Sequence, residues 1–220
     1  MGVVQAVVFD FDGLILDTET PIFEALAQLY DRHGQVLEHD FWRTVIGRGH
    51  DYFDPMADLE TRLGHSLDRE ALRADELSLR NQLLAVQRVL PGVLDWRAES
   101  AALGLRQGVA SSSSRAWVLG HLERLGLAGG WDCIRCGDEV AAAKPAADVY
   151  LAAVDCLGLE AGQVLAVEDS APGVAAAKAA GMRCVAVPSR MTAGSDFSHA
   201  DLLLDSLADV TLAEALRLMR

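Results

Sequence analysis

One short segment near the amino terminus restricts the possible folds of this chain more than any other. A largely apolar run over residues 3–9 leads into Asp10 and Asp12, and Gly13 follows at once. An apolar run that ends in a turn signal is typical of a buried strand, and open α/β sheets bind ligands at the carboxyl ends of their strands. Two carboxylates at such an end repel each other unless a cation or a proton lies between them. An ordinary Asp-Gly turn is the alternative interpretation of this segment.

Size and charge exclude several classes of function. The chain has 220 residues, of which 51% are hydrophobic, so it can bury a sizeable core. Its net charge of -13 disfavours binding to nucleic acid and to anionic lipid surfaces. Neither a signal peptide nor an apolar run long enough to span a membrane is evident. We expect a soluble, cytoplasmic monomer, in which any anionic substrate needs local positive charge from a metal or from selected basic side chains.

The cysteines do not suggest a disulfide framework in a chain of this length. Cys133 and Cys136 form a C-x-x-C pair, which could be a redox pair or half of a zinc site, and Cys156 and Cys184 stand alone. Since no second pair lies at zinc-site spacing, we interpret Cys133 and Cys136 as small apolar residues on or near a strand.

The pattern of apolar residues predicts two regions of different character. Residues 17–88 show only helical periodicity, with Thr20 and Pro21 as the predicted start of the first helix. From residue 90 onward, helices alternate with short apolar runs, which is typical of βαβ units. We therefore predict an α/β fold: a Rossmann-like parallel sheet core flanked by helices (residues 1–16 and 89–220), with an inserted helical cap domain (residues 17–88). The insertion would cover the strand ends like a lid.

The longest predicted helix of the insertion, over residues 68–86, has two distinct faces. One face is apolar and is predicted to be buried: Leu72, Leu79, Leu83 and Val86. The other face is charged: Arg69, Arg73, Glu76 and Arg80. We favour a solvent-exposed role for the charged face over a role in contacting substrate.

Polar groups follow several of the later predicted strands. Ser111 follows the strand over residues 106–110, Glu168 and Asp169 follow the strand over residues 163–167, and Lys144 precedes a predicted helix that begins at Pro145. If the strands are parallel, their carboxyl ends converge on one crevice. A carboxylate-rich site with few nitrogen or sulfur ligands suits a hard cation such as Mg²⁺.

In their order along the chain these motifs resemble the haloacid dehalogenase (HAD) superfamily, in the branch with a helical cap that includes β-phosphoglucomutase and many sugar-phosphate phosphatases. The resemblance rests on the following segments: Asp10-Phe11-Asp12-Gly13, Val109-Ala110-Ser111, Lys144-Pro145 and Glu168-Asp169-Ser170. It covers nearly the whole chain.

The resemblance implies a role for each residue of these motifs. Asp10 would be the nucleophile that forms an aspartyl-phosphate, and Asp12 the general acid and then the general base. The phosphoryl oxygens would be held by Ser111, Ser112 and Lys144. Mg²⁺ would be held by Asp10, the backbone carbonyl of Asp12 and Asp169, with Glu168 nearby or bonded through water. A carboxylate that attacks a phosphate anion needs such positive charge to offset the repulsion.

The activity implied is Mg²⁺-dependent hydrolysis of a small phosphorylated metabolite, such as a sugar phosphate. A β-phosphoglucomutase-type mutase is the alternative, since it uses the same core residues. Three residues of the insertion are candidates for contacting substrate: Thr18, Glu19 and Arg48. Arg48 matches a phosphate-binding arginine of the mutases, or else it is a surface residue in a turn. The mutases also have a histidine where this chain has Ile22, which favours the hydrolase. A receiver domain of signalling proteins is disfavoured because it lacks a helical insertion after the first acidic pair.

Overall fold

The architecture is an α/β sandwich around one parallel sheet. The computed structural model describes residues 3–48 and 52–219. Within them six strands occur: β1 (Ala6–Phe9), β2 (Arg106–Ala110), β3 (Cys133–Arg135), β4 (Val164–Glu168), β5 (Arg183–Ala186) and β6 (Leu202–Leu203). All are parallel and lie in the order β3-β2-β1-β4-β5-β6, which places β1 in the centre between β2 and β4. The predicted fold class is confirmed.

Nine α-helices occur in the described residues. Four of them lie between β1 and β2 along the chain: α1 (Glu19–Arg32), α2 (His39–Val45), α3 (Pro55–Leu63) and α4 (Arg69–Ala85). We refer to residues 17–88, which contain them, as the helical insertion. The remaining helices accompany the later strands: α5 (Val93–Ala102), α6 (Arg115–Arg124), α7 (Asp148–Leu157), α8 (Ala171–Ala179) and α9 (Leu212–Leu218). None of the helices in the described part of the chain is long and apolar enough to cross a membrane.

The core follows the alternation of side chains along the central strand. Val7 and Phe9 of β1 point into one apolar cluster, whereas Ala6 and Val8 point into a second cluster on the opposite face. Every residue of β1 is buried, as expected for a strand covered by helices on both faces. A third cluster, built mainly from α1, α2 and α3, forms a separate core inside the helical insertion.

Two predicted helix starts are wrong. The first helix begins at Glu19 rather than at Pro21, because the Asp17 carboxylate accepts a hydrogen bond from the Thr20 backbone N–H (3.0 Å) and so serves the first turn. The helix predicted to start at Pro145 begins instead at Asp148. The residues before it form a turn, in which the Ala146 N–H donates to the Ala143 carbonyl (3.0 Å).

The apolar face of α4 is only partly as predicted. Leu72, Leu79 and Leu83 are half-buried, but Val86 lies beyond the helix and is 70% exposed. Leu84, which the prediction omitted, is the buried residue of this helix. Helix α4 packs against α1, and the direction of its buried face depends on this packing as well as on the periodicity of the sequence.

The cysteines correct another expectation. Cys133 of β3 forms a disulfide with Cys156 of α7, whereas Cys136 and Cys184 are free and buried. Helix α7 packs against β3, and this brings the two Cα atoms to 6.1 Å although 23 residues separate them in sequence. The interpretation of Cys133 as a merely apolar residue was therefore wrong, and Cys133 and Cys136 do not pair.

Candidate active site

The first acidic pair lies where the central strand leaves the sheet. The Asp10 N–H donates to the Val167 carbonyl (2.9 Å), which extends the pairing of β1 with β4 by one residue. Asp10 is 5% exposed, and Asp12 is half-buried at the start of the following turn. Strands β2 and β4 flank β1 and run parallel to it, so the residues at their carboxyl ends lie beside Asp10 and Asp12.

Lys144 lies at the centre of a buried polar cluster. Its Nζ donates to Asp10 Oδ1 (2.6 Å), Glu168 Oε1 (2.7 Å) and the Ala110 carbonyl (2.9 Å). The lysine is 3% exposed and Glu168 is fully buried. All three N–H donors of the ammonium group are therefore used, and two of them neutralise carboxylates.

Burial displaces the pKa values of this cluster. Burial, together with the Glu168 carboxylate, raises the pKa of Asp10 to about 8, although Lys144 opposes the shift. Burial alone would lower the pKa of Lys144, but Asp10 and Glu168 outweigh it and raise that pKa above its ordinary value. One ammonium group thus leaves negative charge uncompensated, and the cluster favours a proton or a further cation.

The donor set fits a hard divalent cation. Oxygen atoms of Asp10, Glu168 and Asp169 all lie within 4.8 Å of one another. Asp169 Oδ2 is buried and has no hydrogen-bond partner, which is costly unless a ligand satisfies it. Gly13 leaves the space beside it, since a Cβ at residue 13 would lie 2.1 Å from Asp169 Oδ2. Carboxylate oxygens are the ligands that Mg²⁺ prefers.

Glu168 differs from Asp169 in that its oxygens are already occupied. Oε1 accepts hydrogen bonds from Lys144 and from the Tyr150 hydroxyl (2.6 Å), and Oε2 accepts one from the Ser170 hydroxyl (3.2 Å). Of the two adjacent acidic residues, Asp169 therefore has the free ligand atom. Tyr150 was missed by the sequence analysis, since nothing in its helical pattern distinguishes it from an apolar core residue.

The second aspartate has a different environment, made of neutral donors. Asp12 Oδ1 accepts from the Thr18 hydroxyl (2.8 Å) and from the indole Nε1–H of Trp117 (2.8 Å). Asp12 Oδ2 accepts from the hydroxyls of Ser113 (2.7 Å) and Ser111 (3.1 Å). Four donors thus fix the carboxylate of Asp12 without a formal charge among them.

The structure brings Ser111 to Asp12 and Ser112 to the helical insertion. Ser111 is fully buried, whereas Ser112 lies beside the cavity and its hydroxyl is 3.5 Å from the Gly47 carbonyl. Ser113 was not singled out from the sequence, although the serine tract that contains it was visible. Trp117 was missed entirely, because an indole one turn into a helix normally indicates core packing.

A cavity of about 780 Å³ lies between the sheet and the helical insertion. Asp10, Asp12 and Lys144 line its floor, and Glu19 and Arg48 line its walls. The guanidinium of Arg48 lies 4.4 Å from the centroid of the Tyr52 ring. Thr18, the third predicted residue of the insertion, is instead fully buried with its hydroxyl directed to Asp12.

The charged face of α4 borders this cavity. Arg73, Glu76 and Arg80 are among its lining residues, whereas Arg69 is not. Arg73 is exposed, as predicted, but Glu76 and Arg80 are half-buried, so the predicted solvent exposure holds for only part of this face. Arg80 Nε lies 3.4 Å from Glu76 Oε1, and the Arg80 guanidinium is 5.7 Å from the Trp117 ring centroid. The periodicity places these residues on one face, but it does not reveal that α4 packs against α1, which fixes how that face is oriented.

Comparison with known proteins identifies the family. A model of the haloacid dehalogenase-like hydrolases matches residues 7–187. The chain belongs to this family. YhcW, a phosphatase candidate of Bacillus subtilis, is 40% identical over 210 residues, covering 96% of this chain and 95% of YhcW. A phosphorylated carbohydrates phosphatase of Thermotoga maritima is 30% identical over 81% of this chain and 82% of its own length.

A solved structure of a family member supports the same assignment. CbbY from Rhodobacter sphaeroides, in complex with xylulose 1,5-bisphosphate, superposes with a TM-score of 0.73 at 28% identity. The similarity covers 96% of this chain and 98% of CbbY. The haloacid dehalogenase-like architecture thus extends over the sheet and the helical insertion together.

Proposed function

We propose that this haloacid dehalogenase-like protein is a Mg²⁺-dependent phosphatase that hydrolyses a small phosphorylated metabolite, such as a sugar phosphate, through an aspartyl-phosphate at Asp10. One observation carries the proposal. At the floor of the cavity the Asp10 carboxylate lies 2.6 Å from a buried ammonium group, beside the unpartnered oxygen of Asp169. This arrangement offers a nucleophile together with the positive charge that an incoming phosphate needs.

The chain is a phosphoric monoester hydrolase of its family, with phosphatases among its relatives. The name of the Thermotoga maritima relative supports a phosphorylated carbohydrate as the substrate class, and the ligand of CbbY is a sugar bisphosphate. A cavity of about 780 Å³ is large enough for such a compound. We also propose that the protein is a monomer. We propose a cytoplasmic location because phosphorylated metabolites are charged and stay inside the cell that makes them.

The two aspartates divide the chemistry. An oxygen of Asp10 forms a bond to phosphorus as the bond to the leaving oxygen breaks, and Asp12 gives that oxygen its proton. Asp12 then takes a proton from water, whose oxygen bonds to phosphorus and releases Asp10. Meanwhile Lys144 holds Asp10, and in this proposal the Ser111 hydroxyl and the Ser112 backbone N–H would bind the phosphoryl oxygens.

The metal would be held by Asp10, Asp169 and the backbone carbonyl of Asp12, with Glu168 close behind them. Bound there, Mg²⁺ supplies positive charge that offsets the repulsion between nucleophile and phosphate. Glu168 keeps Lys144 in place through their 2.7 Å contact, so its role is to position the lysine as much as to balance the cation.

We propose that the helical insertion acts as a cap that excludes water and selects the substrate. Glu19 and Arg48 would contact the part of the substrate beyond the phosphate. Thr18 would instead hold Asp12 in place through the hydrogen bond from its hydroxyl to Oδ1. Ile22, which also lines the cavity, offers no hydrogen-bonding group at the position where the mutases have a histidine. This supports hydrolysis rather than transfer to a second hydroxyl.

The proposal is tested by release of inorganic phosphate from p-nitrophenyl phosphate and from a panel of sugar phosphates. Asp10→Asn keeps the size of the side chain but removes the nucleophile, and we expect kcat to fall on the order of 10³-fold or more. Chelation of the metal should abolish turnover, and added Mg²⁺ should restore it.

Asp132→Asn is the matched control, because Asp132 accepts a hydrogen bond from the Gln107 N–H (2.8 Å) far from the cavity, and an amide oxygen can still accept it. Unchanged turnover in Asp10→Asn, or turnover that survives chelation, would contradict the proposal. Conversion of β-glucose 1-phosphate to glucose 6-phosphate without release of phosphate would instead favour the mutase.

A further inference from the structure

Asp12 is held by two kinds of hydrogen-bond donor. Ser111 and Ser113 donate to Oδ2, whereas Thr18 and Trp117 donate to Oδ1. Hydroxyl groups can rotate, and a serine at the cavity can turn its single hydrogen toward a substrate oxygen. Of the four donors, Ser113 and Trp117 line the cavity. Of these two, only the Ser113 hydroxyl, which donates to Oδ2, can turn toward a bound substrate.

The indole of Trp117 is a donor of another type. Its N–H has one fixed direction, cannot act as an acceptor, and is engaged with Asp12 Oδ1 at 2.8 Å. The ring is held in place by its neighbours: the His121 ring packs edge-on at 4.3 Å between centroids. The guanidinium of Arg80, from the helical insertion, lies 5.7 Å from the indole centroid. The direction of this hydrogen bond is therefore set by packing and does not change when a hydroxyl rotates.

We propose that Trp117 is a positioning residue for proton transfer: it anchors Oδ1 of Asp12 and leaves Oδ2 as the atom that exchanges the proton with the substrate. The inference rests on the proposed role of Asp12 as general acid and base. When a substrate draws the Ser111 and Ser113 hydroxyls away from Oδ2, the anchors on Oδ1 remain. Without the indole N–H, the carboxylate keeps only the rotatable Thr18 hydroxyl on that side.

The test uses two aryl phosphates that differ only by a para-nitro group and whose leaving groups therefore differ in their need for a proton. Phenyl phosphate releases a basic phenolate, which needs protonation by Asp12, whereas p-nitrophenolate leaves readily as an anion. The parameter to measure is kcat/KM, because it reports phosphoryl transfer to Asp10 and not the later hydrolysis step. In Trp117→Phe we expect kcat/KM for phenyl phosphate to fall about tenfold and that for p-nitrophenyl phosphate less than about twofold.

Trp131→Phe is the matched control. Trp131 is also a half-buried indole whose N–H is bonded, here to the Leu127 carbonyl (2.8 Å), and Arg97 lies over its ring at 3.8 Å, but it does not line the cavity. It should lose comparable stability while the ratio of kcat/KM values for the two substrates stays that of the native enzyme.

An equal loss for both substrates in Trp117→Phe, or no loss, would overturn the inference. If Trp117→Phe does not fold, incorporation of benzothienylalanine at position 117 replaces only the N–H by sulfur, and the same selective loss is expected. Failure of the proposed function is a different result: the native enzyme would then hydrolyse neither of the aryl phosphates nor any sugar phosphate.

Discussion

Asp10 and Asp12 are separated by a single residue, but the groups that surround their carboxylates are different. Asp10 contacts a buried ammonium group and lies within 4.8 Å of two further carboxylates, whereas Asp12 accepts hydrogen bonds only from neutral donors. The sequence predicted the pair and the need for a cation beside it. It could not predict the donors to Asp12 from Ser113 and Trp117, because these residues are 101 and 105 positions away and reach Asp12 only through the pairing of β1 with β2.

Glu19 provides a prediction at the same scale. Burial and the nearby carboxylates of Asp12 and Asp10 raise the pKa of Glu19 to about 8 from its ordinary 4.5. Between these two values the folded protein holds a proton that the unfolded chain has lost, so the free energy of unfolding falls as pH rises. Glu19→Gln cannot titrate and should lack this part of the pH dependence.

The measurement is urea unfolding of the native protein and of Glu19→Gln from pH 4.5 to pH 8, in chelator so that no metal alters the carboxylates. The native protein should lose stability relative to the variant across this range. If the difference in free energy of unfolding between the two proteins stays constant with pH, or if the native protein gains stability relative to the variant as pH rises, Glu19 does not hold the proton.

At the scale of helices and strands, the sequence predicted the features that depend on local patterns of apolar residues. The apolar runs located β1, β2 and β4 to within a few residues, and their parallel arrangement brought Ser111, Lys144, Glu168 and Asp169 together as expected. The start of α7 was misplaced because a turn over residues 143–146 precedes it. The disulfide escaped prediction because it depends on how α7 packs on β3, which spacing alone does not determine.

The disulfide between β3 and α7 should stabilise the fold measurably. It closes a loop across a sequence separation of 23 residues, and the resulting restriction of the unfolded chain is worth about 3 kcal/mol. The free energy of unfolding of the native protein should fall by about that amount when dithiothreitol is added. The double variant Cys133→Ala/Cys156→Ala should show no effect of dithiothreitol, and Cys136→Ala should respond as the native protein does.

Thiol titration of the oxidised, denatured native protein should detect two of the four cysteines. Detection of all four would contradict the pairing. Disulfides rarely persist in a reducing cytosol. An intact bond in protein isolated from its own cells with thiols blocked would therefore contradict the proposed cytoplasmic location.

At the scale of the whole molecule, the helical insertion and the sheet meet at a few close contacts beside the cavity. Arg43 of α2 donates to the Ala193 carbonyl (2.9 Å), and Gly47 faces Ser170 near the start of α8. The sequence predicted an insertion over the strand ends, but such contacts join segments more than 100 residues apart and leave no local pattern. The position of Arg73, Glu76 and Arg80 beside the cavity likewise depends on packing between separate helices, which the periodicity of α4 does not reveal.

Gly47 allows the insertion to approach the sheet closely. Its φ is +78°, and a Cβ there would lie 2.5 Å from Ser170 Oγ. Gly64 is the matched control within the insertion: its φ is +74°, but nothing lies within 4 Å of its Cβ position. Alanine at either site forces a left-handed backbone that costs roughly 1–2 kcal/mol, whereas only Gly47→Ala also pushes the insertion away from the sheet.

We therefore expect Gly64→Ala to lose stability in urea unfolding through backbone strain and Gly47→Ala to lose at least as much, but only Gly47→Ala to lose activity. Displacing the insertion opens the cavity to water and moves Arg48 away from the substrate, so kcat/KM should fall on the order of 10²-fold in Gly47→Ala. Gly64→Ala should stay close to the native value. Equal kcat/KM values in the two variants would mean that the contact between Gly47 and Ser170 is not needed for catalysis, and that the insertion does not act as a cap through it.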